Sequence, residues 1–246
     1  MACVLTTASV DRGMRQFMVR HTVTPQGADA QTPQGDKTTA HAGRSWRAWF
    51  LFAAVAGAAL VMDLTLKAYA FEVVAGQPVK WSSTEPGHAM IPDHDGVTLI
   101  PKVLALQLTT NRGAVFGLGQ GGRWIFVGIS VVAVIFIVSL FWRSRARAYG
   151  WHAAMGLIFA GAISNLYDRW VYASVRDMLH FFPGVQLPFG LRWPGGSGDL
   201  YPWISNLADV WLVVGVGTIL LVTGGQTFRR NMQNRSSPSM PGLSKS

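Results

Sequence analysis

The chain has 246 residues, of which 50% are hydrophobic and only 13% charged, against ~25% charged in a soluble domain. That deficit excludes an ordinary soluble domain and reserves much of the length for membrane spans. The net charge of +9 lies largely in short arginine runs beside apolar stretches, which suits anionic headgroups and topology rather than nucleic acid. Cys3 is the only cysteine, which excludes an intramolecular disulfide and a thiolate metal site.

Residues 1 to 43 are polar and contain no apolar run of signal-peptide length, so they read as a disordered extension. Four apolar segments follow at about 48–71, 124–142, 151–167 and 203–223, each near the ~20 residues that cross a bilayer. The third is rich in small residues (Ala153, Ala154, Gly156, Ala160, Gly161, Ala162), which predicts close helix approach and a central position. Tryptophans mark several segment ends, as an aromatic belt does.

Arg44 and Arg47, then Arg143, Arg145 and Arg147, then Arg229, Arg230 and Arg235 fall on one side of a four-span chain. The positive-inside rule makes that side the cytoplasm. Both termini are then inside, and residues 72–123 and 168–202 outside. Val97 to Ile100 and Val103 to Leu108, interrupted by Pro101, predict short strands in the first outer segment. The stretch from Gly184 to Pro202 is rich in glycine and proline and predicts a loop with little regular structure. The expected fold is an all-α membrane protein, a four-transmembrane-helix bundle with a small extracytoplasmic β-element after helix 1. Its parts are an extension (1–43), a membrane domain (44–228) and a cytoplasmic tail (229–246). A monomer is expected.

Four acids, Asp63, Asp168, Asp177 and Asp209, lie within or beside the apolar segments, all toward the outer face. An ionisable group at membrane depth costs at least ~2.5 kcal/mol, so each is a functional candidate. Asp177 follows the third segment, and Asp209 lies one to two turns into the fourth. Consecutive spans run in opposite directions, so both carboxyls reach one interface, as a carboxylate-pair hydrolase requires. Gly161, Asn165 and Arg169 are spaced to share one helical face, as are Asn206 and Asp209. Asp63 and Lys67 are spaced for a local ion pair with a structural role. Arg169 has two open readings: it holds the carboxylates or substrate carbonyls, or it pairs with Asp168.

These segments, in this order, resemble bacterial lipoprotein signal peptidase (signal peptidase II). Asp63 with Lys67 is similar to the family's Asp-x-x-x-Lys. Asn111-Arg-Gly-Ala-Val-Phe-Gly117 is similar to its Asn-x-Gly-x-x-Phe-Gly segment. Gly161 to Arg169, with Asp177 eight residues later, is similar to its Gly-x-x-Asn-x-x-Asp-Arg…Val-x-Asp-Phe block, and Asn206-Leu-Ala-Asp209 to its Asn-x-Ala-Asp block. Ser164, Met178 and Ser205 depart from the family's glycine, phenylalanine and phenylalanine, and the Gly184–Pro202 loop is longer than usual.

The resemblance implies an aspartic endopeptidase with Asp177 and Asp209 as its dyad. Asn111, Gly113, Asn165, Arg169 and Asn206 would be supporting or substrate-binding residues, and Asp63, Lys67 and Asp168 structural polar groups. Its substrate would be a diacylglyceryl-modified prolipoprotein, cut N-terminal to the lipid-modified cysteine, in the bacterial plasma (inner) membrane. Membrane lipids are the other expected partner. No metal or cofactor is expected, since the histidines are scattered and His-Glu-x-x-His is absent. The competing reading is a small proton- or cation-coupled transporter. It places ionisable groups near the midplane and shows repeat symmetry, whereas these acids lie to one side.

Overall fold

The computed structural model describes residues 41–113 and 122–236. The expectations on residues 1–40, on 114–121 (the second half of the Asn111–Gly117 segment) and on 237–246 lie outside the described residues. Four long helices carry the chain: α1 (Trp46–Val73), α2 (Arg123–Arg143), α3 (Tyr149–Tyr172) and α4 (Leu207–Ser236). α1, α2 and the Leu207–Gly225 part of α4 are long and apolar enough to cross a membrane.

α3 differs from the expectation of an apolar third span. Its 24 residues make ~36 Å of helix, but they include His152, Ser164, Asn165 and Asp168, all buried. The physical reason is its position. α3 packs against each of the other three helices, so its polar side chains face protein. α2, by contrast, leaves Ile125, Ile129, Val132, Ile135 and Phe136 exposed. The small residues of α3 permit the close packing. A Cβ on Gly161 would lie 2.5 Å from the Ala208 carbonyl oxygen on α4, and one on Gly156 2.9 Å from that of Phe52 on α1.

The fold is not all-α at its sheet end. β1 (Lys80–Trp81) pairs with β2 (Ala89–Met90), and β3 (Val97–Ile100), β4 (Leu104–Asn111), β5 (Val175–Phe181) and β6 (Ile204–Ser205) form a four-stranded antiparallel sheet in that order. Strands were expected only in the first outer segment; β5 and β6 come from the second. Burial explains them. Leu106 and Leu108 of β4 pack on Ala70, Phe71 and Val74 of α1, and Met178 and Leu179 of β5 complete that cluster. Met178, where the resembled family has phenylalanine, is fully buried.

α3 hands over to β5 at Ala173, a left-handed residue with φ of 57°. This turns the chain back in one step. The Gly184–Pro202 stretch is more regular than a free loop. Leu187 N–H donates to Gly198 O and Leu200 N–H to Val185 O, each at 2.7 Å, and Pro188–Gly190 forms a 3₁₀ turn. At the opposite end of the bundle, residues expected in the extension pack instead. Ala42 is fully buried and its N–H donates to Ser144 O at 2.8 Å. Trp49 Nε1 donates to Gly43 O at 3.3 Å.

Candidate active site

Asp177 lies on β5, opposite Thr109 of β4, and is 2% exposed. Asp209 lies in the first turn of α4, not one to two turns inside a helix. The helix starts at Leu207 rather than Trp203 because Trp203–Asn206 contains β6 and the residue that caps the helix. Asn206 Oδ1 accepts from Asp209 N–H at 3.0 Å, and Asp209 Oδ2 accepts from Asn206 N–H at 3.3 Å. This reciprocal pair is a capping box, so Asn206 precedes α4 instead of sharing its face.

The other end of the same amide reaches the second acid. Asn206 Nδ2 donates to Asp177 Oδ1 at 2.6 Å. One fully buried asparagine therefore touches both carboxyls. Asn165 of α3 supplies a further donor, its Nδ2 to Asp209 Oδ1 at 2.9 Å. Its Oδ1 accepts from Lys67 Nζ at 3.1 Å.

Behind Asn165 is a buried polar network. Lys67 pairs with Asp63 at 2.8 Å and Asp168 at 3.1 Å, with all three side chains at 0% exposure. Ser164 donates to Asp63 and accepts from Lys67 at 3.4 Å. The serine that departs from the resembled family's glycine thus adds a hydrogen bond here. Asp63 Oδ1 also accepts from Ala208 N–H at 2.7 Å, a second cap on α4.

Arg169 does not pair with Asp168. Adjacent residues on a helix point in different directions. Arg169 donates to Asn165 O at 3.3 Å and Gly113 O at 3.4 Å, and lies 5.4 Å from the Phe126 ring centre. Asp168 Oδ1 instead accepts from Nη2 of Arg176 at 2.8 Å and from its Nε at 3.1 Å. Arg176 is not among the residues expected at the site, although a cation directly before a candidate acid is a signal present in the sequence. Among the described residues no hydrogen bond joins the Asn111 side chain to either carboxyl. Its Oδ1 accepts from Gly113 N–H at 3.0 Å, shaping the turn whose carbonyl receives Arg169.

Burial pushes the Asp177 carboxyl up from 3.8 to about 7, and the charge of Asp209 adds to the rise. The Asn206 hydrogen bond and the charge of Lys67 oppose it. Two carboxyls held by one asparagine, one of them keeping a proton near neutral pH, can act together on a water and a carbonyl.

The family model described as signal peptidase (SPase) II matches residues 55–224. The chain belongs to the signal peptidase II family. It is a peptidase, and its apolar helices make it an integral membrane protein. The lipoprotein signal peptidase of Bifidobacterium longum (strain DJO10A) is 33% identical over 182 residues, covering 72% of this chain and 81% of the relative. That of Symbiobacterium thermophilum is 32% identical over 149 residues, covering 61% and 86%. A solved bacterial membrane enzyme matches the fold with a TM-score of 0.51 at 22% identity, over 77% of this chain and 94% of that one. Membership in a peptidase family displaces the transporter reading.

Proposed function

We propose that this signal peptidase II removes the signal peptide from diacylglyceryl-modified prolipoproteins with Asp177 and Asp209 as its catalytic pair. The observation that carries the assignment is Asn206, whose amide and backbone touch both carboxyls. The cut falls N-terminal to the lipid-modified cysteine.

The hydrogen bonds favour unequal roles for the two acids. A lysine ammonium and a backbone N–H can only donate. Lys67 therefore turns the Asn165 oxygen toward itself and the Asn165 amino group toward Asp209. The Asp209 N–H likewise turns the Asn206 amino group toward Asp177. Both Asp209 oxygens accept N–H donors, which suits the ionised form. Among the described residues Asp177 receives a donor at Oδ1 alone, leaving Oδ2 for the shared proton.

In the proposed reaction Asp209 takes a proton from water as its oxygen attacks the scissile carbonyl carbon. Asp177 gives its proton to the carbonyl oxygen. Collapse of the tetrahedral intermediate breaks the C–N bond, the Asp209 proton passes to the leaving nitrogen, and Asp177 recovers a proton from the new hydroxyl. Arg169 lies beside the pair and offsets its single negative charge. Asn111 and Gly113 shape the carbonyl-bearing turn that orients Arg169.

The proposed topology has four spans, with α3 crossing as a protein-surrounded helix. Both termini are cytoplasmic, and the catalytic pair faces the extracytoplasmic side of the bacterial plasma membrane. The peptidase acts as a monomer. Asp177→Asn and Asp209→Asn should each fold and lose on the order of ten-thousandfold in kcat on a lipidated precursor. Unlipidated precursor should remain uncut by the native enzyme. Full activity in either variant would overturn the assignment.

A further inference from the structure

The Asp168 carboxylate holds two cations, and each leads to one member of the catalytic pair. Oδ2 accepts from Lys67 Nζ at 3.1 Å and from Arg176 N–H at 3.1 Å, while Oδ1 accepts the Arg176 guanidinium. Through Lys67 the contacts continue to Asn165 and then to Asp209. Through Arg176 they reach the backbone of the residue directly before Asp177. Arg176 is 5% exposed and its guanidinium carbon lies 4.4 Å from the Tyr172 ring centre. That ring stacks on Trp81 at 4.6 Å. The planar cation is thus held by the helix carboxylate and by an aromatic face at the end of the same helix.

Charge sharpens the point. Asp63 and Asp168 are balanced by Lys67 and Arg176. With one shared proton, Asp177 and Asp209 carry a single negative charge beside Arg169. Removing the charge of Arg176 leaves one buried carboxylate uncompensated next to the pair.

We infer that Arg176 is a positioning residue for the peptidase reaction: by locking Asp168 to the start of β5 it sets the place of Asp177 and the charge around the pair. The inference rests on the Asp177–Asp209 assignment. Among the described residues the charged and titratable groups around Asp177 include Asp209 on α4, Asp168, Arg169 and Tyr172 on α3, Lys67 and Asp63 on α1, and Arg176 on its own strand. β4 presents Thr109 opposite it.

The test uses the full chain in detergent with a lipidated precursor. Arg176→Gln should keep KM and lose roughly ten- to a hundredfold in kcat. The added negative charge should also move the alkaline limb of its pH profile to higher pH. Arg176→Lys restores the charge without the planar fork, so its limb should return to the native position while kcat stays below native. A purely structural role would lower thermal stability and leave kcat and the limb of the folded fraction unchanged; that result overturns the inference. Equal limbs in the Gln and Lys variants overturn it as well. Should Arg176→Gln fail to fold, native kcat in Arg176→Lys overturns it and lowered kcat with a native limb supports it. Activity in Asp177→Asn sinks the pair itself. A dead Asp177→Asn beside an unaffected Arg176→Gln sinks only the role of Arg176.

Discussion

Asp177 is the residue whose chemistry is most exposed to pH. Its carboxyl is held at about 7 in the folded chain, against 3.8 as the ordinary value. Between those values the folded protein keeps a proton that the unfolded chain has released. Stability from this group is therefore full below the lower value and lost as pH rises through the upper one. Asp177→Asn carries no such loss, so its thermal midpoint in detergent should exceed that of the native chain at pH ~8, and the two should converge near pH ~4. In the proposed reaction the same proton goes to the scissile carbonyl, so kcat/KM should fall as pH rises through about 7, with the pair titrating as a unit. A flat profile across that range would remove Asp177 as the proton holder.

At the scale of elements, the packing of α3 decides where the start of α4 holds Asp209. Gly161 lets the first turn of α4 approach α3, and Asn165, one turn further on, reaches Asp209. Gly161→Val places carbon within 2.5 Å of Ala208 O and 2.8 Å of Leu212. It should cost ~1–3 kcal/mol in overpacking and about a hundredfold in kcat as α4 is displaced. Gly217→Ala, which meets nothing within 4 Å, should change neither. The small-residue pattern made the centrality of α3 legible in the sequence, because spacing of small residues maps directly onto close helix approach. The strand nature of Val175–Phe181 was not legible. Its residues Val175 to Leu179 are buried on both faces, so no alternation marks it. The Asp168–Arg176 pair was hidden for a related reason: its partners meet across a reversal at Ala173, where alanine sits in a conformation that sequence rules reserve for glycine. The start of α4 was misplaced because apolar Trp203 and Ile204 extend the hydrophobic run past the true cap.

At the scale of the molecule, the sheet and the capped start of α4 lie at one end of the bundle, and the Ala42–Ser144 contact at the other. The proposed orientation can be read in cells with single cysteines in a Cys3→Ser background. Gly195→Cys should react with an impermeant maleimide in intact cells, and Arg147→Cys only after permeabilisation; the reverse pattern would invert the topology. The reciprocal cap between Asn206 and Asp209 has a consequence for biogenesis. Among the described helices α4 comes last in the chain, and its start carries both Asp209 and, in the capping residue before it, the amide that reaches Asp177. A nascent chain that ends before α4 and its capping residue holds Asp177 but neither Asn206 nor Asp209. On the assignment proposed above, proteolytic competence waits until α4 is inserted and its N-terminus is closed, so assembly and activation coincide.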